Sequence, residues 1–484
     1  MKKNKHIISL WLFAAVLIIL FTKPCLAGDN KPEFNVKNIS ASLMDDVDAV
    51  VRNYSLTFTV DDIKTAHLTG HYAITILDAD GKHYSEFSLT YDQFRKIDEF
   101  KATLYDSKGN EIRELDDDEI KDYAMVSWAT LYSDSRIKTA ELYYNAYPYT
   151  VEFDYKINYD GYINWPQWIP EERDASVEYS NYNVIIPTGS KLRYSCFNFE
   201  QEPKVTKLNN GNGLSYLWEV KNLPAVEGEQ YGPPWVRQLK SVVVAPAKFK
   251  IAGYEGNLTS WKEFGNWIKN LWQNRQTLSP EAIKKVNSLT EGITDKKEKI
   301  KELYEFLQSR TRYVDISFGV GDWQPIDAEK VYECGYGDCK ALSNFMVSLL
   351  KSTGIEAYPV LIYSNDIPER LDRQFPYNQF NHVIVCVPMN KDTAWLECTS
   401  QSFPFGHIGS GNENRLALLI SDTGGKLIHT PIIHPQANEQ IRKASVTLYP
   451  NGQGKAEIST IFTGDKQDII NTIFNDYTSD VFDK

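Results

Sequence analysis

The hydrophobic period changes along the chain, and that change constrains the fold more than any other feature. From about Pro32 to Ala247 the sequence runs in short alternating stretches closed by turn signals. His71–Leu77 leads to Asp80-Gly81, and Lys101–Tyr105 leads to Lys108-Gly109. Period-two alternation, Tyr and Val enrichment, and turns about every 8–12 residues predict an all-β sandwich over residues 28–250. From Leu258 the period becomes helical, which predicts an α+β domain over 258–435. A last alternating stretch, Ala444–Tyr449, turns at Pro450-Asn451-Gly452 into Ala456–Phe462. It predicts a C-terminal β extension or truncated β domain over 436–484. The chain is therefore multidomain, as 484 residues allow at roughly 100–200 residues per domain.

Helix signals in the second part are explicit. Ser260-Trp-Lys-Glu263 is a capping box ahead of a stripe of Phe264, Trp267, Ile268 and Leu271, and Ser279-Pro280 opens another helix. Ile300, Leu303, Tyr304 and Leu307 mark a third by their i, i+3, i+4, i+7 spacing. A fourth, Cys339–Ser352, buries Leu342, Phe345, Met346, Leu349 and Leu350 and stops at Gly354, which suits a left-handed cap. Ala357–Tyr363, His382–Val387 and Ala394–Cys398 are β-branched or aromatic runs, expected as an antiparallel sheet on that helix. The polar, Tyr-containing connection from Ser364 to Phe380 is the kind of loop that lines a site.

Net charge is −12, and no basic stripe with interleaved aromatics occurs, so nucleic acid is not an expected partner. The N-terminus has a basic start, an apolar run from Ile7 to Phe21, and Thr22-Lys-Pro-Cys-Leu-Ala27. This reads as a signal peptide over residues 1–27, with an uncleaved anchor helix as the alternative, because fifteen apolar-region residues are short for a span. Cleavage would remove four lysines and no acid, taking the charge from −12 to −16. It would leave no segment able to span a bilayer and would make the protein exported, to a periplasm or cell envelope. Lys23 and Pro24 stand where acylation of Cys25 would need small residues.

Tyr143–Trp168 is dense in aromatics, which either pair between strands and fill a core or stack on sugar or peptide. The acidic run Glu114–Glu119 lacks the glycine and spaced oxygens of a calcium loop and reads as a solvated face.

After cleavage five cysteines remain: Cys196, Cys334, Cys339, Cys386 and Cys398. An odd count leaves at least one free thiol or one paired elsewhere. Cys386 reads as core, and Cys334 and Cys398 as thiols that could approach Cys339 and bridge to it. Gly335-Tyr-Gly-Asp-Cys-Lys340 stands at the start of the fourth helix: the glycines allow a sharp turn, Asp338 caps, and Cys339 falls in the first turn. There unpaired N–H groups and the positive helix end stabilise a thiolate. Thiol catalysis also needs a base and an orienting acid. His382, in Phe380-Asn-His-Val, and Glu397, in Trp395-Leu-Glu-Cys-Thr, follow on successive predicted strands, and they face one another if the hairpin turns about Met389 and Asn390. A zinc site of Cys334, Cys339, His382 and Cys398 is disfavoured, because Cys339 at the helix start already has a role in thiol chemistry. No metal and no cofactor are expected.

At these residues the chain resembles the transglutaminase-like superfamily of papain-type thiol enzymes, over roughly 295–410. It further resembles the exported bacterial branch with an N-terminal β domain of unknown function, DUF3857. The resemblance implies that Cys339 is the nucleophile, His382 the general base and acid, and Glu397 the acid, where most members carry Asp. The Cys339 N–H is one natural oxyanion donor, with Trp323 or Gln324 as the second. The function expected is acyl transfer on peptide or carboxamide bonds, to water or to an amine. The alternative is a non-catalytic envelope adaptor that binds peptide or glycan.

Overall fold

The computed structural model describes residues 34–476 apart from 128, 210, 229–231, 233, 235–236, 366–370 and 391. The signal peptide expected over residues 1–27 lies outside the described residues.

The N-terminal part is built on an eight-stranded sheet. Its order is Lys204–Lys207, Gly213–Leu223, Ala175–Pro187, Ala49–Val60, Thr65–Ile76, Tyr149–Asp160, Arg95–Tyr105 and Glu111–Glu114. All neighbours are antiparallel except Ala49–Val60 against Ala175–Pro187. Alternation selects the buried face: Tyr155, Ile157 and Tyr159 point inward, while Lys156, Asn158 and Asp160 are partly or fully exposed. That face is covered by a three-stranded sheet (Glu86–Tyr91, Arg136–Glu141, Lys121–Ala124) and by the pair Arg193–Phe197 and Ser241–Ala245. Phe87 bridges the layers, with its ring centroid 5.5 Å from Tyr72 and 5.1 Å from Phe153. The aromatic segment resolves mainly as core: Tyr149, Phe153, Tyr155, Tyr159, Tyr162 and Trp168 are buried, whereas Tyr143, Tyr144 and Tyr147 are exposed.

Five helices and a five-stranded sheet make the second part. The helices are α1 (Trp261–Trp272), α2 (Pro280–Thr290), α3 (Lys296–Arg310), α4 (Ala328–Cys334) and α5 (Cys339–Ser352). Side chains cap as their sequence suggests: Ser260 Oγ accepts from Glu263 N–H at 3.1 Å, and Ser279 Oγ from Ala282 N–H at 3.2 Å. The seven-residue α4 escapes the periodicity reading because it buries only Ala328 and Val331, too few to mark a stripe. The sheet order is Thr393–Leu396, His382–Pro388, Tyr358–Ile362, Leu416–Ser421 and Gly424–His429, all antiparallel. Phe345, Met346, Leu349 and Leu350 of α5 are fully buried with Val385, Val387 and Leu396 of the sheet. Each such side chain contributes roughly 1.5–3 kcal/mol by leaving water.

The C-terminal part of the 364–380 connection, residues 371–380, docks on the β domain. Phe375 and Tyr377 pack on Val243 and Ala245. Arg193 donates to Pro246 O at 2.7 Å within the β domain and to Pro376 O at 2.8 Å, so one guanidinium ties the β domain to the loop. The C-terminal segment is a hairpin, Gln440–Leu448 with Gly454–Phe462, followed by α6 (Asp465–Asp476). No helix among the described residues is long and apolar enough to cross a membrane.

Candidate active site

Local geometry puts Cys339 at the mouth of α5. Gly335 adopts φ 72°, which ends α4 in the left-handed region and lets the chain turn into the next helix. Asp338 caps α5, its Oδ1 accepting from Ala341 N–H at 2.8 Å. Cys339 is then the first helical residue, 9% exposed, on the wall of a cleft of about 220 Å³. Ser343 Oγ, one turn on, donates to Val383 O at 3.1 Å and locks the helix to the strand that opens with His382.

The imidazole of His382 lies between the thiol and a carboxylate. Its Nε2 stands 2.8 Å from Glu397 Oε2, and Cys339 lines the same cleft close enough to the ring to raise its pKa. The expected register needs correction. Pro388 pairs with Thr393, and Met389 N–H donates to Asp392 O, so the hairpin turns one residue later than about Met389 and Asn390. Continuing the pairing sets His382 diagonal to Glu397, and the longer glutamate side chain spans that diagonal.

Glu397 is 3% exposed, and its oxygens are well supplied with donors. Oε2 also accepts from Asn412 Nδ2 at 2.9 Å, while Oε1 accepts from the Thr399 N–H at 2.9 Å and the Thr399 hydroxyl at 2.6 Å. Burial alone would raise its pKa, but the His382 charge and these hydrogen bonds prevail and hold it below the ordinary value. For His382 burial would lower the pKa, and the Glu397 charge with the Cys339 and Glu397 contacts raises it well above the ordinary value. The charged pair is thus the favoured state of His382 and Glu397.

Beside the thiol lies a second buried charge group. Lys340 is 8% exposed and pairs with Asp338 at 2.8 Å. Burial would lower its pKa, but the charges of Asp338, Cys339 and Asp322 keep it well above the ordinary value. Asp322, on the cleft wall, is pushed up to about 6, chiefly by burial and against the Lys340 charge. Of the two residues considered as a second oxyanion donor, Gln324 donates its N–H to Val320 O and its amide to Leu271 O. Trp323 lines the cleft.

Sequence reasoning missed the groups that enclose the site. Asn164 of the β domain and Asn378 of the docked loop both line the cleft and are joined at 2.8 Å. Asn412 comes from a loop beyond the third strand, where no periodic signal marks it. The five described cysteines are free thiols: Cys334 is exposed at the end of α4, whereas Cys386 and Cys398 are buried. Burial pushes the Cys386 thiol up to about 12.

Comparison with known proteins agrees with this architecture. Residues 283–402 match the family model of the transglutaminase-like superfamily, and residues 64–227 match that of DUF3857, a domain of unknown function with a solved structure. A transglutaminase-like match thus follows a DUF3857 match along the chain, and at the family level this supports a papain-like thiol enzyme. Among solved structures, "a putative protease from Parabacteroides distasonis ATCC 8503" is 14% identical, covers 83% of this chain and 77% of its own, and superposes with a TM-score of 0.59. That likeness concerns the fold alone. "A putative cysteine protease from Cytophaga hutchinsonii", 9% identical over 83% of this chain and 92% of its own, has a TM-score of 0.23, too low to bear on the fold. No curated protein matches the sequence.

Proposed function

We propose that this protein is an exported thiol enzyme of acyl transfer that acts on peptide or carboxamide bonds in the periplasm or cell envelope. One observation carries the reading: His382 sits between the Cys339 thiol and the buried Glu397 carboxylate, at a cleft. Cys339 as thiolate attacks the carbonyl carbon. His382, as imidazolium, gives its proton to the leaving nitrogen as the C–N bond breaks, and a thioester remains on sulfur. His382, now neutral, takes a proton from the incoming water or amine as the thioester is cleaved, and the thiol pair is regenerated. Glu397 keeps the imidazole oriented and stabilises its positive form without itself taking the proton. The Cys339 N–H and the Trp323 indole N–H are the oxyanion donors in this reading, the Trp323 backbone N–H being bonded to Val320 O.

Peptide or protein is the substrate class that fits a cleft walled by both domains, with the Asn164–Asn378 pair available to bind an extended main chain. Profiling peptides and cell-wall fragments with the wild type and Cys339→Ala tests the proposal. Cleavage or cross-linking should occur with the wild type and vanish in the variant, while binding persists. Binding by both proteins without turnover by either would replace the enzyme with a non-catalytic adaptor.

A further inference from the structure

We propose that His407, Glu413, Asp465 and Asp468 form a binding site for one divalent transition cation, of the zinc or manganese kind, that pins α6 to the loop after Glu397. His407 and Glu413 come from that loop, and both aspartates come from the first turn of α6. One ligand atom each from His407, Glu413 and Asp465 lies within 4.8 Å of the others. His407 Nε2 is 2.7 Å from Asp468 Oδ2 and 4.0 Å from Asp465 Oδ1, and Nδ1 is 3.8 Å from Glu413 Oε1. An ion with bonds of about 2.0–2.2 Å holds its ligand atoms roughly 3–4 Å apart, so small side-chain rotations suffice.

Two oxygens in the cluster call for an ion. Glu413 is 7% exposed, and its buried Oε1 accepts no hydrogen bond. Asp465 Oδ1 is likewise buried and accepts none, although its Oδ2 takes the Asn438 amide at 3.1 Å. Buried carboxylate oxygens are rarely left so. Charge points the same way, because three carboxylates converge on one imidazole, which supplies at most one positive charge. The guanidinium of Arg415, which donates to the carbonyls of Glu413 at 2.9 Å and Asn365 at 2.6 Å, adds a positive charge that offsets this excess only in part. Burial, with the charges of Asp465 and Asp468, pushes Glu413 up to about 7 despite His407 and Arg415. A bound dication would relieve that excess and take the bare oxygens.

The donor chemistry selects the ion. Imidazole nitrogen with carboxylate oxygens suits zinc, manganese and their neighbours, whereas calcium and magnesium prefer oxygen alone. The site stands on different residues from the proposed chemistry, and binding is read without turnover, so either proposal can fail alone.

The experiment is calorimetric titration of the EDTA-dialysed full chain with zinc, manganese and calcium chlorides, together with thermal midpoints. One equivalent of zinc or manganese should bind, with calcium at least about tenfold weaker, and the midpoint should rise. Glu413→Gln and His407→Gln should each weaken binding at least about tenfold and abolish the rise. In the ion-free state Glu413→Gln should melt at or above the wild type, because it removes an uncompensated charge, and this serves as the folding control. Should a variant fail to fold, slower tryptic cleavage at Lys466 of the wild-type chain on adding zinc is the expected result. Absence of stoichiometric binding, undiminished binding in both variants, a preference for calcium, or unchanged cleavage at Lys466 would each overturn the site.

Discussion

Glu397 reaches His382 across a diagonal of the hairpin, and this bears on a substitution the family would call harmless. Most members carry Asp at the acid position, yet shortening Glu397 here withdraws the carboxylate by about one bond length, and misplacement of about 1 Å can cost on the order of 10²-fold. Glu397→Asp should therefore lower kcat on the profiled substrate by about 10²-fold, with little change in KM. Unchanged kcat would mean that the strand shifts to restore the bond. The same pair predicts a pH dependence. Glu397 is held below its ordinary 4.5, so its contribution is present above that value and is lost as pH falls through the folded value. His382 is raised above its ordinary 6.5, so its contribution is complete below 6.5 and is lost as pH rises through the folded value. The thermal-midpoint gap between wild type and His382→Ala should be widest between about pH 4.5 and 6.5 and shrink on both sides. A gap constant with pH would contradict the ion pair. Cys339 and His382 were legible because each opens an element whose period announces it, and Glu397 because it directly follows one. Thr399 and Asn412 were not, because their role arises only where the chain returns to the carboxylate.

At the scale of elements, α5 depends on Asp338 twice, as its cap and as the partner of buried Lys340. Asparagine separates the two roles, because it caps about as well but carries no charge. Asp338→Asn should lose roughly 3 kcal/mol, as breaking a buried pair does, far above the ~1 kcal/mol of a lost cap. Urea unfolding checks this, and a loss below about 1 kcal/mol would assign Asp338 to capping alone. The helix itself was readable from Asp338, the apolar stripe and Gly354. The hairpin register was not, since period two fixes which face a residue takes but not where a turn closes. A turn centred one residue later preserved the facing and moved the pairing by two.

In the whole molecule, the two domains share one cleft, and residues 371–380 are the joint. Sequence suggested a loop at a site but not that Arg193 of the β domain would hold it, because that contact joins residues far apart in the chain. Arg193→Ala removes the bonds to Pro246 and Pro376 and should raise KM several-fold, while Cys339 alkylation by a small reagent stays near wild type. A parallel loss of alkylation would mean that the loop also shapes the thiol. Export makes a separate prediction: N-terminal sequencing of protein recovered from the envelope should begin near Gly28, and a start at Met1 in the membrane fraction would replace cleavage with an anchor.

The central claim is that His382 activates Cys339, and the pH dependence of iodoacetamide alkylation at Cys339 tests it most directly. In the wild type Cys339 should react far faster than the other four thiols, with a substantial reactive fraction below pH 7 that disappears in His382→Ala. A profile that rises only near pH 8.5 in both proteins, as for an ordinary thiol, would contradict the account.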